Sequence, residues 1–156
     1  MALAADPVAF KRETALELGA THAVDPTAGD VALLLRELTD GRGADYAFDT
    51  AGAPGVVAQA YDAVRRGGMV VSVGIPPVGA TAELPAPSLP REEKVVTGSF
   101  YGSCRPHVDM PLVIDLYMEG RLDLDALVSR KYGLDEINEA FAAMNAGEVA
   151  RGVIVF

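Results

Sequence analysis

Apolar and polar positions follow two rhythms along this chain. Short apolar runs that end at a turn residue alternate with longer stretches whose apolar positions return at helical spacing. Met1-Ala2-Leu3-Ala4-Ala5 is a short apolar strand closing on Asp6. Asp6 can cap a helix with Pro7 at its first position. That helix runs to about Leu18, with Phe10, Leu16 and Leu18 among its buried candidates, and Gly19 closes it. His22-Ala23-Val24 reads as a strand. A second helix spans about Asp30 to Thr39 and carries Leu34, Leu35 and Leu38. After the turn Gly41-Arg42-Gly43 come a strand, Tyr46 to Thr50, and a third helix, about Val56 to Arg66. Gly67-Gly68 then turns into the strand Met69 to Val73, which stops at Gly74.

The rhythm changes after Gly74. Residues 75–90 are rich in proline and read as a loop or edge segment. Glu93 to Phe100 predicts another strand, and about Val108 to Met118 a helix with Leu112, Ile114, Leu116 and Met118 mostly buried. Leu127 to Tyr132 reads as strand, Leu134 opens a last helix ending near Gly147, and Val153 to Phe156 is a terminal strand. Strands alternating with helices predict an α/β fold, a mostly parallel sheet with helices on both faces.

Composition narrows the partners. The 156 residues suffice for one domain or slightly more, and half of them are apolar, enough for a core. A formal charge of −9 argues against nucleic acid or an anionic membrane surface. The single cysteine excludes an internal disulfide framework. No basic, apolar leader opens the chain, and no stretch approaches the roughly 18–20 apolar residues of a membrane span. A cytoplasmic protein is the expectation.

The opening residues carry a further signal. A short apolar strand that ends in an acidic residue and leads into a helix is how the second strand of a dinucleotide-binding fold ends. The first strand, its Gly-x-Gly-x-x-Gly turn and the following helix do not occur in these residues. The chain reads as the later part of a nicotinamide-dependent enzyme, an incomplete Rossmann-like, doubly wound parallel sheet. The order Asp6, Glu17-Leu18-Gly19-Ala20-Thr21, Phe48-Asp49-Thr50-Ala51-Gly52 and Gly67 to Gly74 resembles that of the zinc-dependent medium-chain alcohol dehydrogenases. Gly133 to Phe141, with Arg151 to Phe156, is similar to the end of those chains. Within the family the likeness is closest to the class that includes bacterial alcohol and thiol-linked formaldehyde dehydrogenases.

The resemblance implies a division into residues 1–101, part of the NAD-binding domain, and residues 102–156, a return segment that packs on the catalytic domain. It implies NAD as cofactor. Asp6 and Lys11 would meet the adenosine ribose, with the Asp6 carboxylate accepting from its hydroxyls and disfavouring a 2′-phosphate. Val73, Gly74 and Ile75 would lie beside the nicotinamide, and the Tyr101 backbone would meet its carboxamide. Arg151 would pair with the pyrophosphate. Three features depart from the family. Ala53 stands where an arginine is frequent. The zinc ligands and the proton-relay hydroxyl are missing. Cys104, His22 and His107 alone do not make a four-ligand zinc site, so no catalytic or metal residue is assigned. The resemblance also makes the strand near Val95-Val96 a candidate edge for a homodimer.

These readings support an NAD-dependent oxidoreductase segment without turnover of its own. A nucleotide-binding or partner-completed module and an inactive truncated remnant are the alternatives. A sheet without its first strand leaves Leu3–Ala5 and the strand near Tyr46 with no common neighbour. Such a chain is expected to be marginal alone, either closing the gap or requiring a partner.

Overall fold

A computed structural model describes residues 1–156. The chain forms two compact units, Met1–Ser103 and Cys104–Phe156.

The first unit holds five strands in two separate parallel sheets. β1 (Leu3–Ala5) pairs only with β2 (His22–Val24), and α1 (Ala9–Glu17) connects them. α2 (Val31–Glu37) leads to the second sheet, in which β3 (Ala44–Asp49), β4 (Val64–Ser72) and β5 (Val95–Gly98) lie in the order β3-β4-β5. α3 (Val56–Ala63) joins β3 to β4, and the short α4 (Ser88–Glu92) precedes β5. No ladder joins β1 to β3, so the gap expected from the sequence is present and the chain does not close it by pairing. A helix layer spans it instead. Ala32 and Leu35 of α2 and Ala63 of α3 form one buried cluster, and both Leu3 of β1 and Ala44 of β3 pack against it. A second cluster, Tyr61, Val64 and Val70, seats α3 on β4.

The proline-rich segment is pinned rather than loose. Ser88 Oγ donates to the Pro85 carbonyl at 2.7 Å and lies 2.6 Å from the Tyr61 hydroxyl. Its single proton thus occupied, Ser88 accepts from Tyr61. Lys94, nearly buried, donates to the Tyr61 carbonyl at 2.9 Å, pairs with Glu92 at 2.8 Å and stands 4.5 Å above the Tyr61 ring.

The second unit is a βαβ arrangement behind a long helix. α5 (Pro106–Met118) precedes β6 (Arg130–Gly133), α6 (Ile137–Asn145) and β7 (Gly152–Val155), and β6 pairs in parallel with β7. Tyr132, Ala143 and Val149 form its core, with Ala140 and Ile154 against them.

Several sequence expectations are corrected. The N-cap of α1 is Val8, not Asp6, so Pro7 precedes the helix. α3 ends at Ala63, and Val64 to Gly68 extend β4 instead of forming helix and turn. A bulge between Ala44 and Tyr46 absorbs the extra residues, and Arg65 holds Asp45 across it at 2.6 Å. The strand expected over Glu93 to Phe100 is Val95–Gly98, because Glu93 closes α4 in a left-handed conformation. β6 starts at Arg130 rather than Leu127, and Leu134–Glu136 is a separate turn before α6. Leu16, Leu18 and Leu38 are exposed, as are Leu112, Ile114 and Met118. Apolar periodicity marks these helix faces, but within this chain no element covers them.

Candidate functional site

Ligands of open parallel sheets bind beyond the carboxyl ends of the strands. In the first unit those ends are Asp6, Asp25, Thr50, Val73 and Ser99, one residue past each strand.

The ends of β3 and β4 are locked together. Asp49 is 2% exposed, and its Oδ1 accepts from the backbone amides of Ala51 at 3.1 Å and Gly52 at 3.0 Å. Its main-chain carbonyl accepts from both Val73 and Gly74 at 2.8 Å. Gly52 adopts φ +62°, which a side chain disfavours. A Cβ built on Gly74 would overlap Gly52 N and come within 2.7 Å of Gly52 Cα, and one on Gly52 would lie 2.8 Å from the Ile75 backbone. Two backbones therefore touch where β3 and β4 end. The amides of Val73 and Gly74 are occupied, whereas the Val73 carbonyl and the Ile75 amide have no main-chain partner. Ile75 is 77% exposed. A flat ligand bearing a carboxamide needs one donor and one acceptor, and this strand end offers both on a rigid floor.

β5 ends in a strained turn. Tyr101, Gly102 and Ser103 have φ of +54°, +68° and +52°. For the two non-glycine residues this conformation costs about 1–2 kcal/mol each. Ser99 N–H donates to the Ser72 carbonyl at 2.9 Å, prolonging the β4–β5 pairing up to this turn.

The ends of β1 and β2 are joined by the Asp6 amide, which donates to the Val24 carbonyl at 3.2 Å, and by one arginine. Arg12 donates to the Asp6 carbonyl at 2.7 Å and reaches Asp25 at 3.4 Å. Asp6 Oδ1 accepts the Val8 amide at 2.8 Å, leaving Oδ2 without a protein partner. Lys11 is half-buried on α1 and forms no ion pair. Asp25 is held below its ordinary range, chiefly by the Thr27 hydroxyl and then by the Thr27 amide.

In the second unit Arg151 is exposed and has no ion-pair partner, but its backbone is fixed. Ser129 Oγ accepts from the amides of Ala150 at 3.0 Å and Arg151 at 3.2 Å, and the Ser129 amide donates to the Arg151 carbonyl at 3.0 Å.

The sequence pattern of zinc-binding dehydrogenases matches residues 2–119. The chain belongs to this family. It is 42% identical over 156 residues to the NDMA-dependent alcohol dehydrogenase of Amycolatopsis methanolica, with 98% of this chain and 42% of that protein covered. It is 37% identical to an alcohol dehydrogenase class-3 of Cereibacter sphaeroides, with 94% of this chain and 41% of that one covered. Among solved structures, benzyl alcohol dehydrogenase from Acinetobacter calcoaceticus superposes with a TM-score of 0.92 at 32% identity, covering 97% of this chain and 41% of that one. A zinc-binding domain protein from Burkholderia ambifaria does so with a TM-score of 0.90 at 36% identity, covering 97% and 40%. The chain thus spans about two fifths of the length of these relatives and corresponds to a C-terminal portion of a zinc-type medium-chain alcohol dehydrogenase.

Of the candidate residues in this zinc-binding dehydrogenase chain, Asp6, Val73 and Gly74 lie at strand ends of the first unit. Ile75 and Tyr101 follow closely, Lys11 stands on α1, and Arg151 belongs to the second unit. Asp49, Gly52, Arg12 and Ser129 were not assigned from sequence. An aspartate inside the apolar run Tyr46-Ala47-Phe48-Asp49, followed by glycine three residues on, was the available sign, because a buried carboxylate requires backbone donors. No three His, Cys, Asp or Glu side chains are grouped so as to hold a metal ion, so the residues of this chain do not fit a zinc centre.

Proposed function

We propose that this chain is the NAD-holding part of a zinc-type alcohol dehydrogenase, a protein that moves hydride between an alcohol or aldehyde and NAD. The observation that carries the reading is the locked end of β3 and β4, where Val73 C=O and Ile75 N–H stand free on a glycine floor. Those two groups would fix the nicotinamide carboxamide, with the Tyr101 backbone beside them. The free Oδ2 of Asp6 would accept from the adenosine ribose, and Lys11 would reach the same sugar. Arg151, its backbone set by Ser129, would meet the pyrophosphate. When bound, NAD supplies the hydride acceptor. No three His, Cys, Asp or Glu side chains here are grouped to hold zinc, and the chain by itself is predicted not to turn over alcohol. In the cytoplasm, the setting we assign it, the exposed outer strand β5 would pair with its copy in a homodimer. Light scattering at high concentration checks that pairing, and a clean monomer contradicts it.

The test of cofactor binding is a thermal melt with and without millimolar NAD. Ligand at ~100-fold above its dissociation constant stabilises the state that binds it by about 2.7 kcal/mol. The midpoint is predicted to rise with NAD, and to rise less for Asp6→Ala. A cooperative melt indifferent to NAD contradicts the proposal.

A further inference from the structure

Two aspartates stand side by side where β1 and β2 end. The ladder pairs Ala5 with Val24, and the next residue on each strand is Asp6 and Asp25. Their carboxylates are engaged differently. Asp6 gives Oδ1 to the Val8 amide and keeps Oδ2 open. Asp25 uses both oxygens. Its Oδ1 accepts from the Thr27 amide at 2.8 Å and the Thr27 hydroxyl at 2.6 Å, and its Oδ2 faces Arg12 at 3.4 Å.

Arg12 is the cation between the two. Its Nη1 meets both the Asp6 carbonyl, at 2.7 Å, and the Asp25 carboxylate, and its side chain is 22% exposed. Nε and Nη2 make no hydrogen bond within the chain. A guanidinium has five N–H donors in a fixed fork, so most of this fork is unused. It lies against the main chain of the very residue whose Oδ2 is open.

We infer that Asp25 is a specificity-determining residue for the adenosine end of the cofactor: by holding Arg12 against the strand ends it withholds that guanidinium from a 2′-phosphate. The inference rests on the reading of Asp6 as the ribose acceptor. A 2′-phosphate at Asp6 Oδ2 meets a like charge and needs a cation to offset it. An arginine beside the site is suited to that task, because its fork takes two phosphate oxygens, whereas Lys11 offers only a point charge. Asp25 removes Arg12 from the task twice over, by fixing its position and by neutralising its charge. The Thr27 contacts keep Asp25 ionised, since they hold its carboxyl below the ordinary range. Asp6 thus excludes the phosphate directly, and Asp25 excludes it through Arg12.

The test compares binding of adenosine 5′-monophosphate and adenosine 2′,5′-bisphosphate to the whole chain, followed by amide chemical shifts. Both probes lack the nicotinamide, so the outcome is separate from whether Val73 and Ile75 hold a carboxamide. The unaltered chain should favour the monophosphate. Asp25→Asn keeps an acceptor for Thr27 and should raise the relative affinity for the bisphosphate at least about fivefold. Adding Arg12→Gln to it should return the ratio to within about twofold of the unaltered chain, because the freed guanidinium is gone. Arg12→Gln alone should not raise the ratio, which gives a second reading on a different variant. Asp30→Asn removes one negative charge at the N-cap of α2 without touching Arg12, and should leave the ratio unchanged. An unmoved ratio in Asp25→Asn, with the monophosphate still bound, overturns the inference and spares the reading of Asp6. So does a gain that survives the double variant or appears equally in Asp30→Asn, since either is a general charge effect. Equal weakening of both probes in Asp25→Asn also overturns it, and would mean that the ion pair only fastens β1 to β2. A chain that binds neither probe contradicts the ribose reading and the inference together.

Discussion

At the ends of β3 and β4 two backbones meet through Gly52 and Gly74, and a fully buried aspartate ties four amides around them. At the ends of β1 and β2, in the same unit, no residue of either strand or of α1 is fully buried, and the tie is one arginine side chain beside the Asp6 amide on the Val24 carbonyl. Both regions are parallel strands with a connecting helix. They differ in neighbours: β4 has a strand on each side, whereas β1 has one neighbour and an open edge. Parallel pairing becomes rigid when strands are flanked and covered. The nicotinamide end of the proposed site would therefore be the stiffer one and the ribose end the looser one.

The sharpest way to break this contrast is at the glycine floor. Gly74→Val is predicted to cost at least about 3 kcal/mol, because the new side chain meets backbone that has nowhere to move. A denaturant melt measures it, and a loss below about 1 kcal/mol would mean the floor is soft. Asp49→Ala comes next, at about 2 kcal/mol, since it leaves the buried Gly52 amide and the part-buried Ala51 amide without an acceptor. Asp49→Asn keeps an acceptor oxygen and should recover most of that loss. In the looser region, Leu16→Ala or Leu18→Ala should change stability by no more than about 0.5 kcal/mol, because both side chains are half-exposed. The smallest effect is an acid one. Arg65, then Arg42, hold the Asp45 carboxyl below its ordinary value of 3.8. A carboxylate depressed in the folded state stabilises it above that value, and the contribution disappears as pH falls through the folded value. Asp45→Asn should thus lower the melting midpoint at neutral pH and flatten its decline below about pH 4.

The sequence made the order of elements legible because β1, β2, the later part of β3 and the later part of β4 are short apolar runs closed by Asp or Gly. It made the split sheet legible because no strand precedes Met1-Ala2-Leu3 in these residues. It misplaced the join of α3 and β4, since Val64-Arg65-Arg66 suits either state and a bulge beside Asp45 decides it. It overstated burial on α1 and α5, whose apolar periodicity records a face without saying whether anything covers it. For the site, the resemblance put Gly74 beside the nicotinamide, and the structure adds a feature the sequence did not offer, the contact of its backbone with Gly52. The role of Asp49 was hidden because its partners are amides created by the turn that follows it.

The most direct test of the contrast is residue-resolved amide exchange on the chain alone. Ala47 and Asp49 face β4, whereas Tyr46 and Phe48, their neighbours on the same strand, face the gap. Slow exchange at Ala47 and Asp49 with fast exchange at Tyr46 and Phe48 is the predicted result. Equal protection of all four would mean that the inner edge of β3 is already paired, and the account of an open slot beside a finished strand end would be wrong.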